Sequence, residues 1–160
     1  MHAHWGDKAG RGSEHTLDGK EFDAELHIVH WNEKYGDPSV AVDKPDGLAV
    51  LGMFLKTGTA HPEMEKICSK LGEILTKDKK VEMAETLDPT NFLPANKTFY
   101  TYPGSLTTPP LFEVGFQIIW FLLEHHTRIA VCYLDRVRGG GGGVRGPAGR
   151  DAGDEGGGER

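Results

Sequence analysis

The sequence predicts a mainly β, α+β domain, and three segments carry that expectation. Glu21 to Trp31 alternates, Gly47 to Leu55 is an unbroken apolar run, and Pro62 to Leu75 places apolar residues at helical spacing. Successive side chains on a strand point to opposite faces. Glu25, His27, Val29 and Trp31 therefore share one face, and Ala24, Leu26, Ile28 and His30 share the other. The apolar run lies between Pro45-Asp46 and Lys56-Thr57-Gly58, the pattern of a central strand buried on both faces. In the third segment Met64, Ile67, Cys68, Leu71, Ile74 and Leu75 form an apolar stripe, with Pro62 and Glu63 suited to a first helical turn. One amphipathic helix is expected to cover the sheet there.

Beyond Leu75 the pattern is less regular. Pro89, Pro94, Pro103, Pro109 and Pro110 punctuate the chain, so Asp88 to Pro110 is expected to be mostly extended loop with short strands. Val114 to Leu123 is apolar and fits either a strand or a buried helix. Half of the 22 glycines fall between Gly139 and Gly158. A tail so poor in apolar side chains cannot offset its ordering entropy, and residues 138–160 are read as disordered.

Composition excludes several classes of function. With a formal charge of −6 and no dense basic stretch, the chain lacks the clustered cations that a nucleic-acid surface needs. No apolar window reaches the length of about 18 residues expected of a transmembrane helix. No basic segment followed by an apolar one marks a signal peptide. Cys68 and Cys132 lack metal-like spacing and read as buried or free thiols, with a cytoplasmic setting as the default. A monomer acting on a small molecule is expected.

The chemistry-bearing pattern is histidine. His2 and His4 in Met1-His2-Ala3-His4-Trp5 would project from the same side of one strand, and His27 from a neighbouring strand would complete a set of three imidazoles. Three neutral imidazoles with an open fourth position form one of the known arrangements for a catalytic Zn2+. A His-x-His pair alone is weak evidence, but Glu25 stands on the same face as His27, where a carboxylate can take the second N–H of a ligating imidazole. The competing reading is a half-buried Glu paired with a Lys or Arg. His15 and His30 read as structural histidines; His61, His125 and His126 read as surface residues.

Several longer motifs then agree in order. They are His2-Ala3-His4-Trp5-Gly6, Gly12-Ser13-Glu14-His15-Thr16, Ala24-Glu25-Leu26-His27, Asp46 to Lys56, and Tyr102-Pro103-Gly104-Ser105-Leu106-Thr107-Thr108-Pro109-Pro110. In these the chain resembles an α-class carbonic anhydrase from about His2 to Glu113. The resemblance implies a large central, mostly antiparallel twisted sheet with peripheral helices. It implies that residues 1–137 are a partial domain of this kind, truncated at both ends. His2, His4 and His27 would bind Zn2+, with Glu25 behind His27. Thr107 would accept a hydrogen bond from zinc-bound hydroxide and pass its own proton to Glu14, and the substrate pair would be CO2 and bicarbonate. Val29, Val50 and Leu106 match apolar wall positions of the CO2 pocket, and Thr108 lies at its rim; Val50 and Leu106 would be core residues in almost any fold and join the pocket only through the resemblance.

The match also has gaps. The strands, pocket residues and proton-shuttling histidine that the family places before its first ligand have no counterpart here, and Gln117 stands where the family has a pocket-lining tryptophan. Weak zinc binding and little activity are therefore expected of this polypeptide alone. A non-catalytic binding or matrix module is the alternative, and loss of a ligand histidine would be its signature. All three are present. Copper or nickel captured by the free terminus and His2 is a third reading.

Overall fold

A computed structural model describes residues 1–95 and 98–120. The predicted tail, Cys132, His125 and His126 lie outside the described residues.

Five strands form one sheet: β1 (His2–Trp5), β2 (Ala24–Trp31), β3 (Leu48–Leu55), β4 (Phe99–Ser105) and β5 (Glu113–Trp120). Their spatial order is β1-β2-β3-β5-β4. All pairings are antiparallel except β3 with β5. A mainly β fold with a mostly antiparallel sheet is thus observed. The apolar run becomes β3, the middle strand, and both of its neighbours pair along most of its length.

Alternation divides the sheet into two chemically different faces. Ala24 and Leu26 of β2, with Met53 and Leu55 of β3, pack against Met64, Cys68 and Phe92 in the main core cluster. Met64 and Cys68 belong to α2 (Pro62–Lys70), which covers this face; a shorter helix, α1 (Pro38–Ala41), precedes β3. The helical spacing from Pro62 to Leu75 overstates α2, because the chain tightens into a 3-10 turn at Leu71–Glu73. Gly72 lies in that turn, where its weak helix propensity offers little to prolong the α-helix. Burial of these apolar side chains is the main stabilising term for such a layer. Beneath β1 a cavity of about 320 Å3 is lined by Met1, Ala3, Leu26, Met64, Cys68 and Leu71. The opposite face carries Glu25, His27 and Val29 from β2 beside Val50 and Phe54 from β3.

The stretch from Asp88 to Pro110 is more ordered than its prolines suggest. It holds a 3-10 turn at Pro89–Phe92 and then β4, which pairs with β5 from Phe99 to Ser105 with an irregularity between Pro103 and Ser105. Proline is tolerated because β4 lies at the edge of the sheet that the described residues form and can leave a donor unpaired there. Val114 to Leu123 resolves as strand through Trp120. Gly115 makes this pairing possible: it has φ +67, and a Cβ there would lie 1.6 Å from the Leu48 carbonyl oxygen. Asp23, just before β2, accepts N–H bonds from Gly10 and Thr57, tying the loop before β2 to the end of β3. Burial pulls its carboxyl upward, but these donors outweigh it and hold the group below its ordinary range.

Candidate metal centre

The register of β1 against β2 sets the first geometry. His2 stands opposite His27 and His4 opposite Glu25. Directly opposed residues on antiparallel strands bring their side chains together on one face, so two imidazoles from β1 meet the carboxylate and imidazole of β2. On the other flank His27 faces Gly52 of β3, which leaves space beside the ring.

The three imidazoles converge. Ring centroids lie 4.9 Å apart for His2 and His4, 5.0 Å for His2 and His27, and 4.8 Å for His4 and His27. Each offers one nitrogen, and these atoms fall within 4.8 Å of one another. His27 Nδ1 is 3.2 Å from His2 Nε2. Tetrahedral coordination with Zn–N distances of about 2.0–2.1 Å would separate ligand nitrogens by about 3.3 Å. The donor set therefore fits a small tetrahedral cation. His4 Nε2 supports the same reading, since it is buried without an aligned hydrogen bond, although Glu14 Oε2 lies 3.2 Å away. A buried polar atom without a well-formed hydrogen bond is uncommon, and this nitrogen is free to meet a cation.

Protonation state also suits a metal. Burial, aided by the nearby His27 and His4, keeps His2 below the ordinary histidine range. Burial likewise lowers His4, against the opposing pull of Glu14. Both imidazoles are thus neutral at neutral pH, as metal ligation requires.

Behind the triad, Glu25 is fully buried, at 0% exposure, and every one of its bonds is accounted for. Its Oε2 accepts backbone N–H bonds from Glu14 at 2.9 Å and His15 at 2.8 Å. Its Oε1 meets His27 Nε2 at 2.7 Å and His15 Nδ1 at 2.6 Å. Burial pulls the Glu25 carboxyl upward, but the hydrogen bonds from His15 and His27 prevail and hold it far below the usual carboxylate range. An ionised carboxylate only accepts. His27 therefore carries its proton on Nε2 and turns the Nδ1 lone pair toward His2.

The remaining residues form the surroundings. Val29 faces Val50 across β2 and β3, with Val50 buried and Val29 at 37% exposure. Leu106 and Thr107 are half-buried and Thr108 exposed in the loop after β4, where the Leu106 N–H reaches the Phe112 carbonyl at 2.9 Å. Among the described residues no hydrogen bond joins Thr107 to Glu14; the Glu14 carboxylate lies beside His4 instead. Two residues that sequence reasoning left out of the centre enter it here. His15 bonds Glu25 through Nδ1 and the Tyr102 hydroxyl through Nε2. Adjacency of His15 to Glu14, and the place of Tyr102 at the head of its proline-rich motif, were the available signals.

Comparison with known proteins gives the family. The family model for eukaryotic-type carbonic anhydrase matches residues 1–139. The chain belongs to that family. It is 45% identical over 139 residues to carbonic anhydrase 7 of Mus musculus, covering 86% of the chain and 51% of the relative. It is also 45% identical over 140 residues to carbonic anhydrase 7 of Homo sapiens, covering 87% of the chain and 50% of the relative. The chain thus spans about half the length of these curated relatives. The family match runs past Glu113, where the recognisable sequence motifs stop. Among the described residues no helix is long and apolar enough to cross a membrane.

Proposed function

We propose that the protein is a zinc-dependent carbonic anhydrase that adds water to CO2 to give bicarbonate and a proton, reversibly. The convergence of the His2, His4 and His27 nitrogens in front of a buried, ionised Glu25 carries this reading. These three residues would hold Zn2+, which when bound lowers the pKa of a coordinated water to about 7 and so supplies a nucleophile at neutral pH. Family membership supports the choice of Zn2+ over other cations that accept imidazole.

Each remaining residue has a distinct part in the reading. Glu25 fixes the His27 tautomer, leaving Nδ1 as the ligating atom. Val29, Val50 and Leu106 offer CO2 an apolar wall, and Thr108 lies at the rim. Thr107 orients the attacking oxygen by accepting its hydrogen bond and donates its own hydroxyl proton to Glu14 once the Glu14 carboxylate leaves its place beside His4. A single chain in the cytoplasm acting on a small neutral substrate completes the proposal, and the formal charge of −6 disfavours nucleic acid as a partner.

Stopped-flow CO2 hydration on the full chain tests it. With added Zn2+ the reaction should run above the uncatalysed rate, and His27→Ala or a chelator should remove the acceleration. A zinc-loaded parent with no acceleration would refute the activity.

A further inference from the structure

His15 and Tyr102 sit behind the metal centre as a continuous support. Tyr102 comes from β4, the strand that leads into the loop carrying Thr107, whereas His15 comes from the loop before β2. The Tyr102 hydroxyl meets His15 Nε2; His15 Nδ1 meets Glu25 Oε1 at 2.6 Å; and that same oxygen meets His27 Nε2 at 2.7 Å. Donor and acceptor roles follow from the carboxylate at the end. Glu25 can only accept, so His15 donates from Nδ1, and in the neutral imidazole its Nε2 lone pair accepts the Tyr102 O–H. In that form every proton in the chain has one place.

We propose that His15 is a positioning residue for the zinc centre, held by Tyr102 and acting through Glu25 on the tautomer and aim of His27. The inference rests on the reading of His2, His4 and His27 as zinc ligands. Glu25 Oε1 takes two imidazole N–H groups while Oε2 takes two backbone N–H groups. The backbone pair fixes one end of the carboxylate. His15 fixes the other, preventing the carboxylate from turning its plane away from His27. Because Tyr102 lies 87 residues from His15 in sequence, the same contact couples the loop carrying Thr107 to the ligand strands. Neither residue needs to touch the cation or the substrate.

The test uses three variants of the full chain. His15→Leu removes both bonds, Tyr102→Phe removes only the outer one, and His15→Gln keeps an amide N–H toward Glu25 and an amide oxygen toward Tyr102. Two quantities are read: zinc affinity by competition with a chromophoric chelator, and the imidazole 15N shifts of His27 in the metal-free protein. We expect His15→Leu to weaken zinc about 10–100-fold, in the range for loss of an outer partner of a ligating histidine. Tyr102→Phe should weaken it a few-fold, about the effect of one hydrogen bond, and His15→Gln should recover most of the loss. In the metal-free protein His27 should be the Nε2–H tautomer in the parent and a tautomer mixture in His15→Leu. Should His15→Leu not fold, Tyr102→Phe still reports both quantities. Folded variants with parental affinity and an unchanged His27 tautomer, whatever their melting temperature, would overturn the positioning role. A parent that binds no zinc would instead refute the zinc reading, and the metal-free tautomers would still decide the role of His15.

Discussion

Replacing Glu25 with Gln removes one charge and almost no volume, and the geometry determines where the new amide must go. Two backbone N–H groups, of Glu14 and His15, point at Oε2, and neither can turn away. The amide nitrogen is therefore driven to the Oε1 position, where it meets His27 Nε2 and His15 Nδ1. Those nitrogens must then present lone pairs, which moves the His27 proton to Nδ1. That atom is the one 3.2 Å from His2 Nε2, and a protonated nitrogen cannot ligate. Holding His27 in the other tautomer breaks its bond to position 25 and leaves two donors facing each other inside a site with 0% exposure at Glu25. Zinc affinity should fall about 10–100-fold, equivalent to about 1.4–2.7 kcal/mol. Chelator competition at neutral pH measures the change. Affinity for Glu25→Gln within about twofold of the parent would refute the tautomer argument.

Other predictions follow from the same interactions. Asp23→Ala leaves the Gly10 and Thr57 N–H groups without their shared acceptor, and should destabilise the chain by about 2–4 kcal/mol in urea unfolding; a loss below about 0.5 kcal/mol would mean that water replaces the carboxylate. Phe54→Ala removes a side chain at 2% exposure that stacks on Phe22 with ring centroids 4.1 Å apart, and should cost about 3–5 kcal/mol by the same measurement. The metal-free chain should lose stability in acid. The Glu25 carboxyl is lowered from its ordinary 4.5, so its contribution is present above 4.5 and is lost as pH falls, the unfolded chain binding the proton first. His2 and His4, lowered from 6.5, act in the same direction below 6.5. His15, raised from 6.5 by its bond to Glu25, acts oppositely, its contribution being present below 6.5 and lost as pH rises through its higher folded value. Urea midpoints should therefore fall below pH 4.5 and fall less in Glu25→Gln; midpoints that rise with acid there would contradict the assignment.

What could be read from the sequence follows from how local each signal is. β2 was visible because Ala24 and Leu26 meet the core while Glu25 and His27 meet the site, and this division leaves an alternating pattern in adjacent residues. β3 was visible because both of its faces are largely buried, so nearly every position is apolar. β4 was obscured by Pro103, whose missing N–H is harmless only because the strand lies at an edge, a tertiary fact. For Val114 to Leu123, composition suited strand and helix equally, and pairing with β3 and β4 decides the matter. The histidine pattern was legible because β1 holds His2 and His4, and β2 holds Glu25 and His27, at strand spacing. The His15 and Tyr102 contact joins residues 87 positions apart with no shared periodicity, so only the folded arrangement reveals it.

Zinc bound by the purified full chain at equilibrium with excess free Zn2+ at neutral pH tests the central claim most directly, because saturation reveals even a weak site. Mass-spectrometric metal analysis should find a single Zn2+ per parent chain and almost none in His27→Ala, which removes a proposed ligand at 2% exposure. Zinc bound at the parental level by His27→Ala, or a parent that binds none at saturating Zn2+, would contradict the account.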